Sequence, residues 1–197
     1  MHGPTDEELL LAVRSGDNDS FGTLVARWER PLFHFVYRMI SRPEDARDIC
    51  QETFLRVLNK AHRFKPGAKF STWMYQIALN LCRDQLRKKR RWSAVVVERN
   101  SDFEPEPAPS AVLQVEDNPA EAAERTERRQ LITQALGEIP AEQREVLVMK
   151  EFEGMKFREI AEILGCPEST VKSRMYYGLN GLKAALAKQG FTAEGVS

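Results

Sequence analysis

The sequence predicts an all-α protein: two small helical domains joined by an extended, acidic, proline-containing linker, the second domain carrying a helix-turn-helix. Three observations lead there. Apolar residues recur at helical spacing through most of the chain, and no segment alternates as a strand does. Between the two helical regions, Asp102-Phe103-Glu104-Pro105-Glu106-Pro107-Ala108-Pro109-Ser110 has no helical period and three prolines, which suits an extended separator. The expected division is a first domain at 1–92, a linker at 93–120, a second domain at 121–190 and a tail at 191–197.

In the first domain, Leu10, Val13, Phe21, Leu24, Val25 and Trp28 recur at helical spacing, and Leu32, Phe33, Phe35, Val36 and Met39 continue the pattern. Gly16-Asp17-Asn18 breaks the first helix, and Pro31 is expected to interrupt or kink the second. Ser41-Arg42-Pro43 starts another, with Ser41 or Arg42 as cap and Pro43 in the first turn, where its missing N–H costs nothing. Ala46, Ile49, Cys50, Phe54, Val57, Leu58 and Ala61 carry one stripe to about His62. Lys65-Pro66-Gly67-Ala68-Lys69 reads as a loop. Ser71 is then placed to cap a long helix that reaches the basic cluster near Arg91, with Met74, Ile77, Ala78, Leu81 and Cys82 facing inward.

In the second domain, helices resume near Asn118-Pro119, with Leu131, Ile132, Ala135, Leu136 and Ile139 apolar. Pro140 opens a helix that carries Val146, Leu147, Met149 and Phe152 and stops at Gly154. The run from Phe157 to Arg174 has the spacing of a DNA-binding helix-turn-helix. Ala161 is small where the second helix crosses close, and Gly165 can take the left-handed turn. Val171, Ile160 and Leu164 pack the two helices, and the second begins near Glu168 and Ser169. Its outward donors, Ser169, Thr170, Lys172, Ser173, Arg174 and Tyr177, suit bases and phosphates in a major groove. Arg174 is the candidate for a bidentate pair with guanine.

Composition limits the function. Of 197 residues, 42% are hydrophobic and 29% charged, ordinary for a soluble protein, and no apolar run suits a membrane span. The acidic start, Thr5-Asp6-Glu7-Glu8, lacks an apolar signal core, so a cytoplasmic protein is expected. Cys50, Cys82 and Cys166 stand alone, without a CxxC pair, as small buried side chains do in a reducing compartment. His2, His34 and His62 are isolated, no glycine loop cradles a phosphate and no nucleophile sits beside a base. The expectation is a non-enzyme with no cofactor and no metal.

The formal net charge is zero, but its distribution is uneven. Residues 56–91 carry 11 basic and 1 acidic side chains, whereas residues 1–55 carry 6 basic and 10 acidic. A polyanion would meet the cationic block, not the average. In that block Phe64, Phe70, Trp73 and Tyr75 interleave with Lys65, Lys69, Arg83 and Arg87-Lys88-Lys89-Arg90-Arg91. Such an arrangement supplies stacking surfaces and phosphate contacts for unpaired bases. Phe70 and Trp73 suit a core equally well. On the preceding helix Asp45, Asp48 and Glu52 share one face, as either a solvated stripe or a docking surface.

Three motifs in this order resemble the bacterial RNA polymerase sigma factors of the extracytoplasmic-function (ECF) type, within the sigma-70 family. They are Glu44-Asp45-Ala46-Arg47-Asp48-Ile49-Cys50-Gln51-Glu52-Thr53-Phe54, the run Phe70-Ser71-Thr72-Trp73-Met74-Tyr75-Gln76-Ile77-Ala78-Leu79-Asn80, and Ile139-Pro140-Ala141-Glu142-Gln143-Arg144-Glu145-Val146 with the helix-turn-helix behind it. The resemblance spans roughly Asp6 to Lys188 and implies a dissociable initiation subunit without catalysis of its own. It implies that Asp45, Asp48, Gln51, Glu52 and Leu55 dock on the clamp helices of the polymerase largest subunit, and that the second subunit's flap is also a partner. It implies that Phe70, Trp73 and Asn80 hold flipped non-template bases of the −10 element, with Lys65, Lys69 and Arg83 on the backbone. The helix-turn-helix would read the −35 duplex, and the acidic linker would thread the polymerase toward the RNA exit path. Such factors are commonly held by an anti-sigma partner. The chain departs from the family where Tyr176-Tyr177-Gly178-Leu179-Asn180-Gly181 stands in place of several arginines. Its two glycines each cost a helix about 1 kcal/mol relative to alanine. A free-standing helix-turn-helix regulator that never touches polymerase is the alternative reading.

Overall fold

The computed structural model describes residues 3–65, 67–97 and 119–190; residues 98–118 of the linker expected at 93–120, and the tail at 191–197, lie outside them. Every regular element among the described residues is helical. Packing divides the chain into two units, Met1–Val36 with Glu44–Pro105, and Tyr37–Pro43 with Glu106–Ser197.

In the first unit, α1 (Asp6–Arg14) begins in a capping box. The Thr5 hydroxyl accepts from the Glu8 N–H at 3.2 Å, and the Glu8 carboxylate accepts from the Thr5 N–H at 2.7 Å. The bond from the Thr5 N–H to the charged carboxylate, with the Thr5 side chain beside it, lowers the Glu8 pKa. Gly16 at φ 95° turns the chain, and Asp17 caps α2 (Asn18–Ile40) by accepting from the N–H groups of Asp19 and Ser20. Pro31 does not end that helix. It sits on the exposed side, where water can take up the carbonyl that its missing N–H leaves unbonded. Ser41, left-handed at φ 58°, separates α2 from α3 (Pro43–Lys60). The expected run to His62 tightens into a 3-10 turn over Ala61–Arg63.

The long helix α4 (Phe70–Val97) starts one residue before Ser71, so Ser71 lies inside it and is not its cap. The Glu7 carboxylate of α1 takes that role, accepting from the Phe70 N–H at 2.8 Å. Helix continues to Val97, past the expected boundary at 92. The core holds Leu10, Leu24, Leu32, Phe35, Val36, Val57, Phe70, Met74 and Ala78. Trp28, Phe35, Phe70 and Tyr75 pack edge to face at centroid distances of 4.7 to 6.0 Å.

In the second unit, α5 (Pro119–Glu138) is followed by α6 (Ala141–Leu147), which continues as a π turn over Val148–Phe152. Gly154 at φ 65° reverses the chain into α7 (Phe157–Leu164). Gly165, left-handed at φ 65° and ψ 36°, ends α7, and the Cys166 N–H donates to the Ala161 carbonyl at 3.2 Å. Pro167 then leads into α8 (Glu168–Lys188). Leu136, Val146, Leu147, Met149, Ile160 and Val171 form the core.

Helix α8 does not weaken at its glycines. A Cβ on Gly178 would stand 3.0 Å from the Leu147 side chain, and one on Gly181 would stand 2.9 Å from that of Ile139. Both glycines let α8 lie close against the α5–α6 corner and α6, which offsets their poor helix propensity.

Candidate nucleic-acid interface

The helix-turn-helix is fixed from behind. Val171, Met175, Gly178 and Ala185 form the buried stripe of α8, set at four, three and seven residues. Its phase turns Ser169, Lys172, Ser173, Tyr176, Tyr177 and Asn180 outward, all exposed. Thr170 is half-buried, and its carbonyl accepts from the Ser173 hydroxyl at 2.9 Å. The Lys172 ammonium lies 5.9 Å from the Phe157 ring centroid.

Arg174 behaves differently from its neighbours. Its side chain is 24% exposed and its Nη2 donates to Glu142 Oε2 on α6 at 2.5 Å. Its helix position is next to the inner stripe and not on the outward face. Tyr176 is 64% exposed with its ring 5.5 Å from that of Tyr177. It was not among the expected contacts, though its place four residues after Lys172 was legible in the sequence.

In the first unit, the structure separates residues that the sequence grouped. Phe70 is fully buried, on the same side of α4 as Met74 and Ala78, so its ring is core. Trp73 is half-buried and tilts against Phe64 at 5.4 Å. Asn80 lies two turns on from Trp73 and is exposed, with the exposed Gln76 between them. Lys65 and Lys69 are exposed on the approach to α4, and Arg83 is half-buried. Gln76, which was not among the expected contacts, carries no sequence signal apart from its helix phase.

On α3, Asp48, Gln51 and Leu55 are exposed, while Asp45 and Glu52 are half-buried. Leu55 is 49% exposed. Glu52 pairs with Arg56 at 2.7 Å, one turn along the same helix. This stripe is one wall of an open groove of about 760 Å³, whose other wall is the basic end of α4, including Lys88 and Arg91. The groove therefore has walls of opposite charge, and the acidic stripe faces cations as well as solvent.

Among the described residues no cluster of histidine, cysteine and acidic side chains could hold a metal ion, and no helix is long and apolar enough to cross a membrane. Fold and surface together define a helical DNA-binding protein with a helix-turn-helix reader and a separate aromatic–basic domain.

Comparison with known proteins agrees with that class and narrows it. Residues 24–92 match the model for sigma-70 region 2, and residues 129–180 match sigma-70 region 4. The chain is 33% identical over 174 residues to the ECF RNA polymerase sigma factor SigW of Bacillus subtilis, covering 88% of this chain and 92% of that protein. It is 30% identical over 175 residues to the ECF sigma-E factor of Escherichia coli, covering 87% and 89%. Among solved structures, the sigma factor RpoE from Bartonella quintana, in complex with the anti-sigma factor NepR, shares the fold at a TM-score of 0.64 and 24% identity, covering 85% of this chain and 96% of that one. CnrH, in complex with the cytosolic domain of CnrY, does so at 0.66 and 24%, covering 93% and 97%. The chain belongs to the sigma-70 family, as an RNA polymerase sigma factor of the ECF type. It is a transcription initiation factor that directs RNA polymerase to promoters. The free-standing regulator loses its ground with that assignment.

Proposed function

We propose that the two units are separate promoter anchors, the first for the −10 element and the second for the −35 element. Supporting this is the outward stripe of α8, where Ser169, Lys172, Ser173 and Tyr177 project from a helix whose opposite side is closed against α6. Lys172 supplies charge for a phosphate or a guanine edge, the hydroxyls supply adaptable donors, and Tyr177 offers an apolar ring to a thymine methyl.

In the first unit, Trp73 and Asn80 form the face that receives an unstacked non-template base, with Lys65, Lys69 and Arg83 along the backbone. Trapping such a base offsets a few kcal/mol of unstacking and requires no chemistry on it. Phe70 serves this face from below, by fixing the helix that carries Trp73. The protein has no catalytic role of its own and works in the cytoplasm, where the polymerase is.

Docking on core polymerase falls to α3, through Asp48, Gln51, Glu52 and the exposed Leu55, with Asp45 at the edge of the same stripe. An exposed leucine flanked by acids suits a partner with an apolar strip bordered by cations. An anti-sigma protein is a further partner, consistent with the complexes in which the two structural relatives were solved.

The test is reconstitution of the full chain with core polymerase on a promoter library. Promoter-specific transcripts that disappear when either element is scrambled are the expected result. Transcription indifferent to both elements would overturn the proposal.

A further inference from the structure

We infer that Arg174 is a positioning residue that locks the recognition helix onto α6 through Glu142, and does not read bases. The inference rests on α8 being the −35 reader.

Helix phase is the first support. Arg174 lies between Val171 and Gly178 along the side of α8 that is turned to the protein, and it is 24% exposed where Tyr176 and Tyr177 are 64% and 61%. Bonding is the second. Its Nη2 is 2.5 Å from Glu142 Oε2 in the first turn of α6, and its Nη1 is 4.0 Å from Cys166 Sγ in the turn before α8. One guanidinium thus ties α8, the turn and α6 together. The third is the close approach one turn further on, where a Cβ on Gly178 would already meet Leu147 at 3.0 Å. With the ion pair before it and this contact behind it, the angle at which α8 leaves the domain has little slack.

Electrostatics favours the same role. Glu142 is 69% exposed on the domain that would face DNA, and an unpaired carboxylate there would repel phosphates. The Arg174 cation cancels that charge. To read guanine, the guanidinium would have to release Glu142 and leave the carboxylate unpaired beside the duplex.

The experiment uses the full chain with core polymerase and a promoter set carrying every single-base change in the −35 element. Arg174→Ala should lower occupancy several-fold and evenly across the set, with base preferences unchanged. Arg174→Lys should recover part of the loss, and the charge-swapped pair Glu142→Arg with Arg174→Glu should recover most of it. Relaxed preference at a single base pair in Arg174→Ala, or a swapped pair as weak as Arg174→Ala, overturns the inference. A wild-type protein indifferent to a scrambled −35 element sinks the underlying reading of α8 itself, a result distinct from either variant outcome.

Discussion

The Glu7 carboxylate of α1 accepts the backbone N–H of Phe70, the first residue of α4, at 2.8 Å across 63 positions of sequence. A negative charge at a helix N-terminus both satisfies an orphan donor and complements the helix dipole. Glu7→Ala should therefore destabilise the protein by about 1 kcal/mol, in the range of a lost cap. Chemical denaturation of the full chain reads this directly, and an unchanged midpoint would show that the bond contributes nothing.

Phe70 and Trp73 sit three residues apart and should separate by phenotype. Phe70 is fully buried, so Phe70→Ala should lose about 3–5 kcal/mol of stability. Trp73→Ala should lose far less, because its ring is partly exposed against Phe64. It should spare duplex binding while reducing permanganate reactivity of the −10 thymines in the open complex. Normal reactivity in a folded Trp73→Ala protein would remove Trp73 from the melting face.

Alanine at Gly181 gains helix propensity worth about 1 kcal/mol but places its Cβ 2.9 Å from Ile139 Cγ2. Ile139 is buried and β-branched, so it has little room to turn aside. Overpacking of this kind costs about 1–3 kcal/mol, so Gly181→Ala should be neutral to destabilising where an open helical glycine would be stabilised. Gly22, with nothing within 4 Å of its Cβ position, is the control, and Gly22→Ala should raise the thermal midpoint.

Burial, reinforced by the nearby Glu29 carboxylate, pushes the Cys50 thiol up to about 12. In the unfolded chain the same thiol ionises near pH 8.5. Between those values the unfolded state binds fewer protons, so stability falls as pH rises from about 9 toward 12. A Cys50→Ala protein should show a shallower decline over that window. Equal slopes in pH-dependent denaturation would contradict the assignment. At neutral pH, alkylation of the native protein should reach the half-buried Cys166 before Cys50 or Cys82.

Much of this molecule was legible without coordinates. Helical periods, Gly165 at the turn and the gathering of cations in residues 56–91 are local properties, set by the side chains along a short stretch. The three ordered motifs carried the family. The serine rule failed where a tertiary contact overrode it: Ser71 yields the cap of α4 to Glu7, a residue that no local reading could bring there.

The sequence by itself determined which residues could form each helix and which chemistry each carries. Only the tertiary structure decided which way those residues face. Phe70 and Trp73 belong to one aromatic run, and Lys172 and Arg174 to one polar run, yet in each pair one side chain is more enclosed than the other. The physical reason is that a helix fixes the angle between two side chains but not the direction of its neighbour. Glycines at 178 and 181, read alone as a weakness, become the close contact that sets that direction for α8.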